Sequence, residues 1–383
     1  MKEIFLDGAS NTPLDRRVLR AMKPYLSQKF VGNSSSVHDF GIKASLAIEK
    51  ARDQVAEATK AKPEEIFFTS GATEGNNWII RMVATQQLIT KKRKTIVCGS
   101  TEHSSVLRAC EALIPLGFNV KFIKPNSQGR ITVLKMRKYI DDDTALVCVM
   151  SVNNELGTTN EADGIAQLAK KHGAISLIDC TQMMLYGGRA IEICRRFPHG
   201  DCFTFSAHKF YGPTGVGCAI IRQDVDLIPL LYGGAQEFGK RGGTSNTAGI
   251  VGLGKAIEIL HQNDYRPHFA QLFMYFLKKM GDLGTLNAVP DHQNILSVNF
   301  SKNFHTDNLA AVLATRGVAV SAGSACDAEH DDIAGFNPSH VLVALGLPET
   351  IIRNTVRISF TKYTTRKDID FFFSVINKLL SEE

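Results

Sequence analysis

Lys209 stands in the run Ser206-Ala207-His208-Lys209-Phe210-Tyr211-Gly212-Pro213. Apolar stretches at 201–205 and 215–221 flank it and read as short buried strands. An ammonium between two buried strands is costly to desolvate unless it is bonded or neutralised. One chemical solution is a Schiff base with a carbonyl cofactor, which removes the charge. The plain alternative is a surface turn, since Gly and Pro lie close by and most lysines are solvated. Other polar residues recur just past apolar runs: Thr73, His103, Asn153, Asp179, Gln182, Ser206 and His208. One such residue is ordinary, but a recurrence on strand after strand predicts a site.

The elements that must position these residues alternate. Apolar runs at 66–69, 95–98, 119–123, 145–150 and 174–179 are each followed by a polar turn and then, in most cases, a helical pattern. Helices are predicted at about 15–27, 38–59, up to about 87, up to about 113, 132–140 and 162–172. This alternation predicts an α/β fold with a mostly parallel, seven-stranded-type sheet sandwiched by helices. In such sheets the residues just past the strand C-termini line the ligand crevice. A second alternation, with apolar runs at 294–300 and 355–360, predicts a smaller α+β domain. We place the large domain at 13–261 and the small one at 1–12 with 262–383.

Those residue types suit pyridoxal 5'-phosphate. The cofactor needs a lysine, for which Lys209 is placed, and an acid at its ring nitrogen, for which Asp179 at a strand end is suited. Its phosphate needs hydroxyls and backbone amides at a helix N-terminus. Gly71-Ala72-Thr73 supplies these, and Ser206 and His208 can add to them. His103 is placed to stack on the ring, and Arg357 is the candidate for bidentate binding of a substrate carboxylate. Each residue has a plainer reading: a helix cap for Thr73 or Asp179, a satisfied loop histidine for His103, a surface ion pair for Arg357. Their joint arrangement favours the site.

With 44 basic and 38 acidic residues the net charge is +6, which permits an acidic or nucleic-acid partner without arguing for one. Direct nucleic-acid binding is not argued. No stretch is apolar enough to span a bilayer, and an acid at position 3 without a long apolar region argues against a signal peptide. The eight cysteines are scattered, several in apolar runs, with neither metal-ligand spacing nor a disulfide pattern. A cytoplasmic protein without a metal is expected.

The chain resembles the cysteine desulfurases, in the class V aminotransferase group of fold type I pyridoxal phosphate enzymes. The resemblance rests on ten motifs in family order, among them Asp7-Gly8-Ala9-Ser10-Asn11-Thr12-Pro13, Thr69-Ser70-Gly71-Ala72-Thr73-Glu74, Thr101-Glu102-His103, Asp179-Cys180-Thr181-Gln182, the lysine run, Arg241-Gly242-Gly243-Thr244 and Ser324-Ala325-Cys326. It implies that Lys209 carries the cofactor, that Asp179 pairs with the ring nitrogen and that Gln182 donates to the ring hydroxyl. His103 would be the stacking acid–base group. Ala72, Thr73, Ser206 and His208 would grip the phosphate, with Thr244 reaching it from the second subunit of a homodimer. Asn33, Asn153 and Arg357 would hold the substrate carboxylate. Cys326 would be the nucleophile that takes sulfur from L-cysteine as a persulfide, leaves L-alanine and passes the sulfur to an acceptor protein. Iron–sulfur assembly, transfer-RNA thiolation and DNA phosphorothioation are the open destinations.

The chain departs from the family in places. Ser34 replaces a proline, Gly242 a serine, and an arginine near Phe238 is missing. The segment Asp327–Asn337 is long and acidic, which is expected to raise the Cys326 pKa and to place thiol activation inside the closed site, with His103 as acceptor. Two other readings stay open at this point: a selenocysteine lyase or other β-eliminating enzyme, and a non-catalytic desulfurase-like scaffold.

Overall fold

The computed structural model describes residues 3–90, 92–300, 304, 306, 308–323 and 338–382. A seven-stranded sheet is built from β2 (Ile66–Thr69), β3 (Thr95–Gly99), β4 (Asn119–Ile123), β5 (Thr144–Met150), β6 (Ile175–Asp179), β7 (Cys202–Ser206) and β8 (Gly217–Ile221). The strand order is β2-β8-β7-β6-β5-β3-β4. All neighbours are parallel except at β8, which runs antiparallel to β2 and β7. The cause is chain length. Only residues 207–216 join β7 to β8, too few for the crossover that a parallel pair requires. The lysine turn therefore belongs to a hairpin.

Burial on both faces explains the near-continuous apolar strands. All seven residues of β5 are buried. Val147 and Val149 enter one core with Val55, Ile178 and Phe205. Leu146 and Cys148 enter the opposite core with Trp78, Ile79 and Cys98. The alternation follows from the two-residue period of the strand. Four helices open the chain's helical set: α1 (Arg16–Met22), α2 (Asp39–Thr59), α3 (Ala72–Thr90) and α4 (Ser104–Glu111). α1 is shorter than its apolar spacing predicts because Pro24 lacks an amide proton, and a 3-10 turn at Lys23–Leu26 follows. The helix predicted at 132–140 is only Val133–Met136. Met136 and Ile140 are both buried, so their helical spacing is met by one helical turn and a tight turn after it.

A third core gathers the C-terminal part of the chain around β10 (Ile295–Asn299) and β12 (Thr355–Ser359), which pair antiparallel, with β9 (Thr285–Leu286) beside β10. Ile4 and Leu6 belong to this core. The N-terminal β1 (Ile4–Phe5) pairs in parallel with β11 (Val318–Ala319), and Asp7 bridges to Ser359. Residues 4–9 are thus held by the last third of the chain. Tyr186 and Tyr211 reach into the same core from the sheet side. Among the described residues no helix is long and apolar enough to cross a membrane.

Candidate active site

Strand ends supply the site. β7 finishes at Ser206 and a 3-10 turn, Ala207–Lys209, carries the lysine. Tyr211 then takes a left-handed backbone, φ 67°, which is uncommon for a residue with a side chain. Three bonds hold it there. Its amide donates to Thr12 Oγ1 (2.6 Å), its carbonyl accepts from the Asp15 amide (3.0 Å), and its hydroxyl accepts from the Lys362 amide (2.6 Å). Lys209 Nζ donates to two backbone carbonyls of the N-terminal turn, Ala9 O at 2.8 Å and Ser10 O at 2.6 Å.

Around this lysine lies a cavity of about 210 Å³. Of the sequence candidates, Ala72, Thr73, His103, Asp179, Gln182, Ser206, His208, Lys209 and Arg357 line it. At the helix end, the Ala72 amide donates to Ser206 Oγ (2.8 Å), which ties the start of α3 to the end of β7. Asp179 accepts from the Thr181 amide (2.9 Å) and from Asn76 Nδ2 (3.0 Å). Gln182 Nε2 donates to Ala9 O at 3.0 Å. His208 is pushed down to about 4 by burial, with the neighbouring Lys209 and His103 charges adding to the effect. At neutral pH it is therefore an uncharged donor or acceptor.

Arg357 is buried at 3% exposure and does not sit there unpaired. Its Nη2 donates to Asp7 Oδ1 (2.8 Å) and Ser321 Oγ (3.2 Å), and its Nη1 to Asn154 O (3.2 Å). Among the described residues its Nε has no partner, and neither does Asn154 Oδ1. Both residues line the cavity. Unpaired buried groups of this kind are rare unless a ligand completes them.

Three sequence candidates lie elsewhere. Asn153 is fully buried and its amide is committed to the turn that follows β5. Its Oδ1 accepts from the Glu155 and Leu156 amides (2.9 Å each), and its Nδ2 donates to Thr101 O (3.0 Å). The cavity-lining asparagine is Asn154 instead. Asn33 is exposed and accepts from the Ser35 amide. Thr244 lies beside a separate pocket with Phe68, Ser70 and Gly215. Its loop is tied down by two ion pairs, Arg241 with Glu74 (2.8 Å) and the buried Arg52 with Glu237 (3.0 Å). Cys326 and the acidic segment after it lie outside the described residues. The described chain on either side converges, since a Cβ on Gly323 would stand 3.0 Å from Ser339 Cβ. There the Ser339 hydroxyl donates to Glu155.

Asp7, Asn76, Ser105 and Asn154 were not singled out from the sequence. Asn76 carried a signal: it falls on the α3 face of Ala72, Ile79, Ile80 and Val83, where every neighbour is buried, and a polar residue there needs polar partners.

The histidines give a testable pH dependence. His292 stacks on Tyr186 at 3.9 Å and is pushed down to about 3 by burial. His208 and His292 are neutral in the folded chain, whereas an unfolded histidine protonates near 6.5. The unfolded chain thus binds more protons below that value. The stability from these two residues is complete above about pH 6.5 and declines as pH falls toward 4 and then 3. Thermal midpoints measured from pH 7.5 down to 5 should fall, and His292→Phe should flatten the fall. A midpoint that rises on acidification would contradict this.

Comparisons with known proteins bear on the family and the fold. The family model for aminotransferase class-V matches residues 4–372. Cysteine desulfurase IscS of Dictyoglomus turgidum is 36% identical over 388 residues, covering 100% of this chain and 95% of that protein. Among solved structures, one described as a NifS-like protein superposes with a TM-score of 0.89 at 34% identity, with 100% of both chains covered. Another, described as SspA in complex with cysteine, has a TM-score of 0.80 at 34% identity and covers 94% of this chain and 99% of that one. The chain belongs to the class-V aminotransferase family and, within it, to the cysteine desulfurases.

Proposed function

We propose that this desulfurase holds pyridoxal 5'-phosphate in the Lys209 cavity and uses it to take sulfur from L-cysteine. The observation that carries the reading is the convergence of Lys209, Asp179, His103 and Arg357 on one cavity from four separate segments. The donor set fits the cofactor. Lys209 would hold it covalently, and Asp179, fixed by two hydrogen bonds, would face its ring nitrogen. The start of α3 with Thr73, Ser206 and neutral His208 would take its phosphate. Gln182 would donate to the ring hydroxyl. Bound there, the cofactor supplies an electron sink for the substrate's α-carbon.

The chain's own groups do the rest. Arg357, with Nη2 held by Asp7, presents its unpartnered Nε to the cavity, and Asn154 stands beside it; together they would bind the substrate carboxylate. His103 would move the proton. Cys326 would attack the substrate's sulfur. A sulfur–sulfur bond forms, the carbon–sulfur bond breaks with its electron pair going to carbon, and that carbon gains a proton. L-alanine leaves and the persulfide stays on Cys326 for an acceptor protein.

The position of Thr244 away from its own cavity supports a homodimer in which each Thr244 serves the other subunit's phosphate. Exposed apolar residues on nearby loops, Val37 at 94% and Tyr232 at 78%, support a covered face. The proposed division at 13–261 and at 1–12 with 262–383 is supported by the separate sheet and C-terminal cores, although Tyr186 and Tyr211 join the latter. The seven described cysteines are all unpaired and buried, which fits a reducing compartment such as the cytoplasm.

Asp179→Ala tests the reading. The variant should keep some bound cofactor but release alanine more slowly by on the order of 10²-fold, the scale for losing one fixed electrostatic partner. Steady-state alanine release with a matched cofactor count measures it, and an unchanged rate would remove Asp179 from this role.

A further inference from the structure

A directional chain of hydrogen bonds connects Asp179 to His103. It starts at the carboxylate, which when ionised can only accept. Asn76 Nδ2 donates to Asp179 Oδ2 at 3.0 Å, and its Oδ1 accepts from Thr204 Oγ1 at 2.6 Å. The reversed amide would set its oxygen against the carboxylate, so the orientation of Asn76 is fixed by the charge on Asp179. The second N–H of the same amide donates to Ser105 Oγ at 3.0 Å. Ser105 in turn meets His103 Nδ1 twice, through its backbone amide at 3.1 Å and through its hydroxyl at 2.9 Å. A backbone amide only donates, so Nδ1 must accept and carries no proton. The hydroxyl, already accepting from Asn76, donates to the same Nδ1.

We infer that Asn76 and Ser105 are positioning residues that, with the Ser105 backbone amide, hold His103 with its proton on Nε2 and tie its ring to Asp179. Proton exchange with a group in the cavity then runs through Nε2 alone. The protein surroundings suit a residue that must stay in one tautomer. Asn76 is completely buried, so water does not compete for its amide. Among the described residues, Lys209, His208, Asp179 and Arg357 line the cavity with His103, Arg81 and Arg108 line a second pocket that His103 borders, and the buried Glu102 precedes it. None of the relay residues Asn76, Ser105 and Thr204 titrates, so the relay transmits orientation and not protons. A tautomer held this way is worth more to a proton-transfer step than to binding.

This inference rests on the role proposed for His103, so two measurements separate them. Nitrogen-15 NMR of histidine-labelled holoenzyme, with the His103 signal identified by His103→Gln, should show an unprotonated Nδ1 and a protonated Nε2. A proton on Nδ1 would overturn the inference, whatever His103 does in turnover. Kinetics provide the second arm. Asn76→Leu and Ser105→Ala should each lower kcat about tenfold, the scale of one lost charge-assisted hydrogen bond, with KM for cysteine within about twofold. The double variant should be no slower than the slower single variant, because both cut one chain. Ser105→Thr, which keeps the hydroxyl, should recover most of kcat. Additive losses, or losses in KM alone, would refute the relay. If His103→Gln itself turns over at the parent rate, the proposed role of His103 fails, while the NMR result still decides the relay.

Discussion

Lys209→Ala should lose the visible absorption band of the bound cofactor and all measurable alanine release. The fall should be on the order of 10⁴-fold or more, the scale on which removal of a covalent catalytic group is felt. The fold should survive. Ala9 O keeps the Gln182 Nε2 donor after Nζ is gone, and Tyr211 keeps its three backbone and hydroxyl bonds. A thermal midpoint close to that of the parent apoprotein, together with a colourless and inactive protein, is the expected pair of results. A variant that releases alanine at the parent rate would remove Lys209 from the chemistry.

Cys326→Ser separates sulfur transfer from cofactor binding. The serine oxygen is far less nucleophilic toward sulfur than a thiolate, so alanine release should fall at least about 10³-fold. Binding of cysteine, which is proposed to depend on Arg357 and Asn154, should change little. Mass spectrometry of the parent after one turnover should find the added sulfur on Cys326. The other seven cysteines are buried, and burial pushes the thiols of Cys180, Cys194, Cys202 and Cys218 up, away from the reactive thiolate. Added sulfur on one of them, with Cys326→Ser fully active, would refute the assignment.

The strands, the order of the site motifs and the lysine turn were legible because they depend on local signals: apolar runs, glycine and the residues at strand ends. The reversed direction of β8 was implicit in the short connection but had to be weighed against the parallel pattern around it. That Asn154, and not Asn153, lines the cavity was not legible. Both are asparagines in one turn, and which of them faces the cavity depends on the backbone twist that commits Asn153 to Glu155 and Leu156. Asp7 and Asn76 were missed for a related reason. Their partners, Arg357 and Asp179, stand 350 and 103 positions away, and single-sequence periodicity reports only near neighbours.

The N-terminal turn has a consequence for how the protein is made. Ala9 and Ser10 hold the lysine amine, yet their own position depends on β1 pairing with β11 and on the bridge from Asp7 to Ser359. Residues 4–9 therefore lack these partners until residues 318–359 have been synthesised. Contacts of such sequence separation form late in folding. On the proposed reading, retention of the cofactor waits for residues 318–359, and a nascent chain stalled before residue 318 should fold its sheet and still fail to retain it.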